Sequence, residues 1–232
     1  MRPSLFEVDG FEPSSAAAPA VQTPLGVVEL RCAIGGDNLT TLASETVAGT
    51  TGDGQLMLWD SPDLWAELLM RPFGGPPVEP DSGCILATWR LLAHRPTPPV
   101  ALSIGWSPGA SWVYHSPDSG ECFDALTYQD AEIEGETVDV SFGTVSGDCV
   151  TAGAAGWWPD RWTWEILGCD HPYCEGLVEY EPGRLTVPLP AFVENERCTV
   201  RFSVAWGSPT AELPPRSRAD DALWSTFLPK NV

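Results

Sequence analysis

The sequence predicts a mainly β protein: two tandem antiparallel β-sandwich-like units related by internal duplication, followed by a short C-terminal helix. Three observations carry this expectation. Apolar residues alternate with period two, 23 prolines and 22 glycines punctuate the chain, and residues recur at a spacing of about 100.

The alternation is clearest in Cys198-Thr199-Val200-Arg201-Phe202-Ser203-Val204-Ala205-Trp206. Side chains on a strand point alternately to its two faces, so Cys198, Val200, Phe202, Val204 and Trp206 share one side of a half-buried strand. Comparable runs predict strands at Val27–Ala33, Gln55–Trp59, Cys84–Leu92, Val100–Trp106 and Ser111–His115. Further strands are expected at Leu126–Glu132, Thr137–Phe142, Trp162–Leu167, Gly176–Glu181 and Arg184–Pro188. Clusters such as Gly74-Gly75-Pro76-Pro77 and Pro96-Thr97-Pro98-Pro99 separate them. Proline fixes φ and glycine permits positive φ, so these clusters read as turns. Helix signal is confined to Asp60–Met70, with Pro62 in its first turn, and Ser217–Phe227, which presents Ala219, Leu223 and Phe227 inward.

The repeat sets the expected boundaries. A shift of 98 places Thr46, Val47, Gly49, Trp59, Glu67 and Leu69 on Thr144, Val145, Gly147, Trp157, Glu165 and Leu167. A shift of 100 then places Gly83, Val100, Ser103 and Trp106 on Gly183, Val200, Ser203 and Trp206. Each unit has the size of a small sandwich. The expected organisation is a flexible arm at 1–21, a first unit at 22–117, a second at 118–216, and a helix and tail at 217–232.

Charge excludes whole classes of function. The chain has 32 acids against 12 Lys and Arg, a net charge of −20. Nucleic-acid binding draws on clustered cations, and anionic membrane surfaces attract them, so neither partner is expected. A hydrophobic content of 43% argues against disorder. The start of the sequence has no basic segment followed by an apolar run, which predicts a soluble, cytoplasmic protein. The seven cysteines then read as reduced thiols, mostly apolar fillers on strands.

The charge is also uneven. Residues 22–117 hold nine acids and four bases, whereas residues 118–216 hold 18 acids and five bases. Between Arg95 and Arg161 there is no Lys or Arg. Asp118, Glu121, Asp124, Asp130, Glu132, Glu134, Glu136 and Asp139 fall in that interval. In an extended Asp130–Glu136 segment the alternate acids would form a one-sided ladder. Such a ladder repels itself, which suits a landing surface for a basic protein partner, a solubilising surface or a hard-cation site. The expectation drawn is a non-catalytic acidic binding protein, an inhibitor or immunity-type protein masking a basic partner.

Other motifs give competing expectations. Trp157-Trp158-Pro159-Asp160-Arg161-Trp162-Thr163-Trp164 suits a carbohydrate- or surface-binding module, and Trp158 is the candidate exposed anchor. Repeated β units also suit a structural protein of a larger assembly. Cys169-Asp170-His171-Pro172-Tyr173-Cys174 offers two thiols and an imidazole to zinc through Cys169, His171 and Cys174, but it lacks a recognised spacing or fourth ligand. No other cofactor is expected. Gly105-Trp106-Ser107-Pro108-Gly109 matches a nucleophile pattern, yet Pro108 has no N–H to stabilise an oxyanion. It reads as a turn, and no catalytic residue is assigned.

Overall fold

Apolar alternation here builds two sheets whose longer strands bury one side in a shared core. A computed structural model describes residues 4–6, 10–15, 18–52, 54–74, 82–106, 123–133, 135–145, 158–162 and 178–225. Its first strands are β1 (Glu12–Pro13), β2 (Ala20–Thr23), β3 (Gly26–Ile34), β4 (Asp37–Asn38), β5 (Glu45–Thr51), β6 (Gly54–Asp60) and β7 (Leu64–Pro72). Then follow β8 (Gly83–Ala93), β9 (Val100–Trp106), β10 (Phe123–Ile133), β11 (Glu136–Val145), β12 (Glu179–Glu181), β13 (Arg184–Leu189) and β14 (Arg197–Gly207). Helix α1 (Leu39–Leu42) follows β4, and α2 (Pro215–Trp224) follows β14. The large sheet runs β1-β5-β6-β7-β8-β14-β11-β10, the small one β12-β13-β9-β3-β2, with β4 beside β3. All recorded pairings in both sheets are antiparallel.

The mainly β, antiparallel expectation and the short C-terminal helix stand; the duplication is not confirmed. Both sheets combine strands from the two halves, joined where β14 pairs with β8 and where β13 pairs with β9. The repeat aligned Val100–Trp106 with Val200–Trp206, but β9 lies in the small sheet and β14 in the large one. Alternation reports which face is buried, not which sheet a strand joins, so the match in pattern carries no matching topology.

The large sheet is covered on both faces. Trp59, Leu64, Ala66, Leu68, Trp89 and Phe202 are buried in the main core. The alternate residues Leu56, Leu58, Trp65 and Leu69 form a second cluster with Phe6, packed by Leu5 and Phe11 of the N-terminal arm. Helix α2 lies against β8, β11 and β14, burying Ala219, Ala222 and Leu223. There the Cys84 thiol donates to the Arg218 carbonyl at 3.8 Å.

This cover corrects the helix expected at Asp60–Met70. Ser61 closes a tight turn: its hydroxyl donates to the Leu64 carbonyl at 2.8 Å and accepts from the Leu64 N–H at 3.0 Å. Leu64 to Met70 is then a strand buried at every residue. A strand covered on both faces has no polar side to display, so its continuous apolar run imitates a helix. Gly83 illustrates close packing within the sheet: a Cβ there would sit 2.3 Å from the Trp206 ring on β14. The expected strand at Ser111–His115 lies outside the described residues. Trp162, expected to begin a strand, lies in a helical turn together with residues 160 and 161.

Candidate functional site

Four of the acidic residues singled out from the sequence, Asp124, Asp130, Glu132 and Glu136, belong to the strands at one side of the sandwich. Edge strand β10 closes the large sheet and edge strand β12 closes the small one. The Tyr180 hydroxyl of β12 donates to Asp124 Oδ1 of β10 at 2.7 Å, tying the two edges together. Glu179 and Glu181 flank Tyr180 and are exposed. Asp130 and Glu132 also belong to β10, and exposed Glu136 begins β11. Asp118, Glu121 and Glu134 lie outside the described residues.

The one-sided ladder is corrected by the backbone. β10 has a register shift between Tyr128 and Ala131, which breaks the regular pairing with β11. The chain then reverses, with Ile133 opposite Glu136 and Glu132 opposite Thr137. Gly135 takes the φ of +88° that the tight reversal requires. An extended Asp130–Glu136 segment therefore does not exist. Asp139 departs from expectation too: it is 7% exposed on β11, an interior strand. It is not open to a partner.

Asp124 is half-buried, and burial pushes its carboxyl above the usual carboxylate range while the Tyr180 hydrogen bond pulls it back in part. A raised folded value means that ionisation costs stability as pH rises from the unfolded value, near 4, through the folded one. Asp124→Asn keeps an acceptor for Tyr180 and removes that cost. The variant is expected to match the parent at about pH 3 and exceed it at neutral pH. Urea unfolding at a series of pH values checks this, and an unchanged pH slope would remove Asp124 as its source.

The tryptophan cluster forms core in its described part. Trp158 is 9% exposed and Trp162 is 0% exposed. Their rings meet edge to face at 5.3 Å, and Trp162 meets Phe192 at 4.5 Å. Trp158 is therefore not the exposed anchor expected, because the turn at 160–162 folds it onto its neighbour. Trp157 and Trp164 are outside the described residues, as are Cys169, His171 and Cys174. Among the described residues no group of three His, Cys, Asp or Glu is placed to hold a metal ion. Cys32, Cys84 and Cys198 are free and buried. Burial pushes the Cys32 and Cys84 thiols up to about 12. No helix among the described residues is long and apolar enough to cross a membrane.

Glu179, Tyr180 and Glu181 were missed as site residues, although their strand was expected. Their signal was Glu-Tyr-Glu alternation; the link to Asp124, 56 residues away, has no sequence signature.

No protein-family model matches this chain, and no curated protein matches it. One solved structure, described provisionally as a kojibiose phosphorylase from the human microbiome, is similar over 93% of this chain at 8% identity and a TM-score of 0.45. The chain spans 28% of that protein's length. A similarity of this size carries no functional argument.

Proposed function

We propose that the protein is a non-catalytic binding protein that takes a basic protein partner along the β10–β12 side. The observation that carries this reading is the union of two acid-bearing edge strands through Tyr180 and Asp124. Charged edges also oppose strand-to-strand aggregation, so solubility alone accounts for scattered acids. It does not account for joining the two edges. A surface of this sign raises the encounter rate of a cation and weakens with salt over a Debye length of about 8 Å at physiological ionic strength. In the inhibitor form of this proposal, the carboxylates stand where an anionic substrate of the partner would bind.

The test compares two triple variants with the same charge change. One carries Glu136→Lys, Glu179→Lys and Glu181→Lys on the proposed side. The other carries Glu12→Lys, Asp37→Lys and Glu45→Lys, exposed positions toward the opposite edges. A labelled oligolysine peptide serves as the probe. The first variant is expected to bind it about tenfold more weakly than the second, a difference of about 1.4 kcal/mol. Equal weakening would mean that net charge, rather than this side, attracts the peptide. Capture of a neutral natural partner with salt-insensitive affinity would overturn the reading.

A further inference from the structure

The small sheet is notched at the edge opposite β12. β2 covers β3 only from Gly26 to Glu29, and β4 covers only Ala33 and Ile34. Among the described residues no strand lies beside Leu30, Arg31 and Cys32 on that edge; the Leu30 N–H instead donates to the Pro19 carbonyl at 2.7 Å. Beside this gap is a cavity of about 480 Å³ lined by Leu30, Cys32, Leu39, Trp59 and Trp89, with Pro19 at its border. That volume lies within the usual range for small-molecule sites.

The tryptophans are the informative part of the lining. Trp59 is 2% exposed and Trp89 1%, and their rings lie 5.3 Å apart with a 30° tilt. Neither indole Nε1 has a hydrogen-bond partner among the described residues. A buried donor left without an acceptor costs about 1–3 kcal/mol, and such groups are rare in folded proteins. The Trp158 and Trp162 indoles also lack a partner among the described residues, but Trp59 and Trp89 line one cavity together, and that pairing points to a ligand that supplies acceptors. Both nitrogens are sealed beneath the surface, so contact with a guest requires a ring to turn toward the cavity.

The remaining lining fixes the class of guest. An indole N–H only donates, and Cys32 keeps its proton because burial pushes the thiol up to about 12. Asn38 Oδ1 is already taken by the Thr40 N–H at 3.0 Å and the Thr40 hydroxyl at 2.9 Å. Glu29 and Arg31 also border the cavity, but they pair with each other on the outward side of β3. Among the described side chains the interior thus offers donors and hydrocarbon, with neither a carboxylate facing inward nor a buried cation to hold a charged guest.

We infer that this cavity is a binding site for a small neutral molecule with an apolar body and a carbonyl-type oxygen, which accepts from Trp59 or Trp89. The site lies on the side of the sandwich away from the acidic edges, so either proposal can fail without the other.

Indole N–H signals of the ¹⁵N-labelled full chain provide the test, with Trp59→Phe and Trp89→Phe identifying the two resonances. Acetophenone is the probe, ethylbenzene is its counterpart without the oxygen, and benzoate is its anionic counterpart. Acetophenone is expected to move the Trp59 or Trp89 signal downfield and saturably, without moving the other indoles, while neither counterpart does so. The double Phe variant is expected to bind acetophenone about tenfold more weakly. The inference is overturned if acetophenone moves neither signal, if ethylbenzene moves them equally, or if benzoate is preferred. Cross-relaxation between both N–H groups and long-lived water in the free protein would also overturn it, by showing a hydrated gap.

Discussion

Replacing Glu67 with alanine is expected to lower the thermal midpoint by about 10 °C and release the N-terminal arm. Glu67 is 0% exposed, and its carboxylate is the point on which the arm is fastened. Oε1 accepts from the Leu5 N–H at 2.7 Å and the Trp65 indole at 2.6 Å. Oε2 accepts from the Ser4 hydroxyl at 2.8 Å and the Phe6 N–H at 3.3 Å. Arg90, directly opposite on β8, donates to the Leu5 carbonyl and lies 4.3 Å over the Phe6 ring. Truncation strands these four donors, and at about 1–3 kcal/mol for each buried donor left unsatisfied a loss of about 3–5 kcal/mol is expected even after partial rescue by water. At about 2–4 °C per kcal/mol for a domain of this size, the shift follows. Release of the arm also bares Leu56, Leu58, Trp65 and Leu69. Calorimetry reads the midpoint, and hydrogen exchange at Leu5 and Phe6 reads the arm. Unchanged protection at those two amides would show that contacts other than Glu67 hold it.

The same arm explains where sequence reasoning about the fold succeeded and where it stopped. Cys198, Val200, Phe202 and Val204 were legible as one buried face, and all are at most 1% exposed. Thr199 and Ser203, on the alternate face, are buried as well. The expected half-buried strand is a central strand covered on both sides. Period two reveals two faces, but it cannot reveal that a distant segment or helix will cover the polar one. Glu67 carries the same lesson: a lone acid in an apolar run looks like a helix's polar stripe, whereas three of its four hydrogen-bond donors lie more than 60 residues earlier. Helix α2 was nearly correct, because Ala219 and Leu223 are set by local spacing alone. For the candidate site, sequence revealed the excess of acids and the strand holding Tyr180. The bulge, the reversal at Gly135 and the bond between Tyr180 and Asp124 depend on pairings that composition does not encode.

Trp162→Ala is expected to destabilise the protein about as much, and its result separates a core role from a sugar platform for this cluster. Trp162 is fully buried, with the Phe192 and Trp158 rings meeting it edge to face at 4.5 and 5.3 Å. The turn carrying it is pinned from outside. Arg161 forks onto Glu196, with Nε to Oε1 at 2.7 Å and Nη2 to Oε2 at 2.6 Å, and Nη2 also donates to the Ala191 carbonyl at 2.6 Å. Burial pushes the Glu196 carboxyl up, but the Arg161 hydrogen bonds, the Val193 amide and the Arg161 charge together leave it below the usual range. The fork is thus ionised at neutral pH and holds the turn in place while the indole is removed. A pinned backbone cannot collapse fully into the space left behind, and truncating a buried tryptophan costs about 3–5 kcal/mol. The midpoint is expected to fall by about 10 °C. A stacking platform would behave in the opposite way, losing glycan affinity with little change in stability. Calorimetry of Trp162→Ala decides between them: a midpoint within about 2 °C of the parent would place the ring outside the core and restore the platform reading.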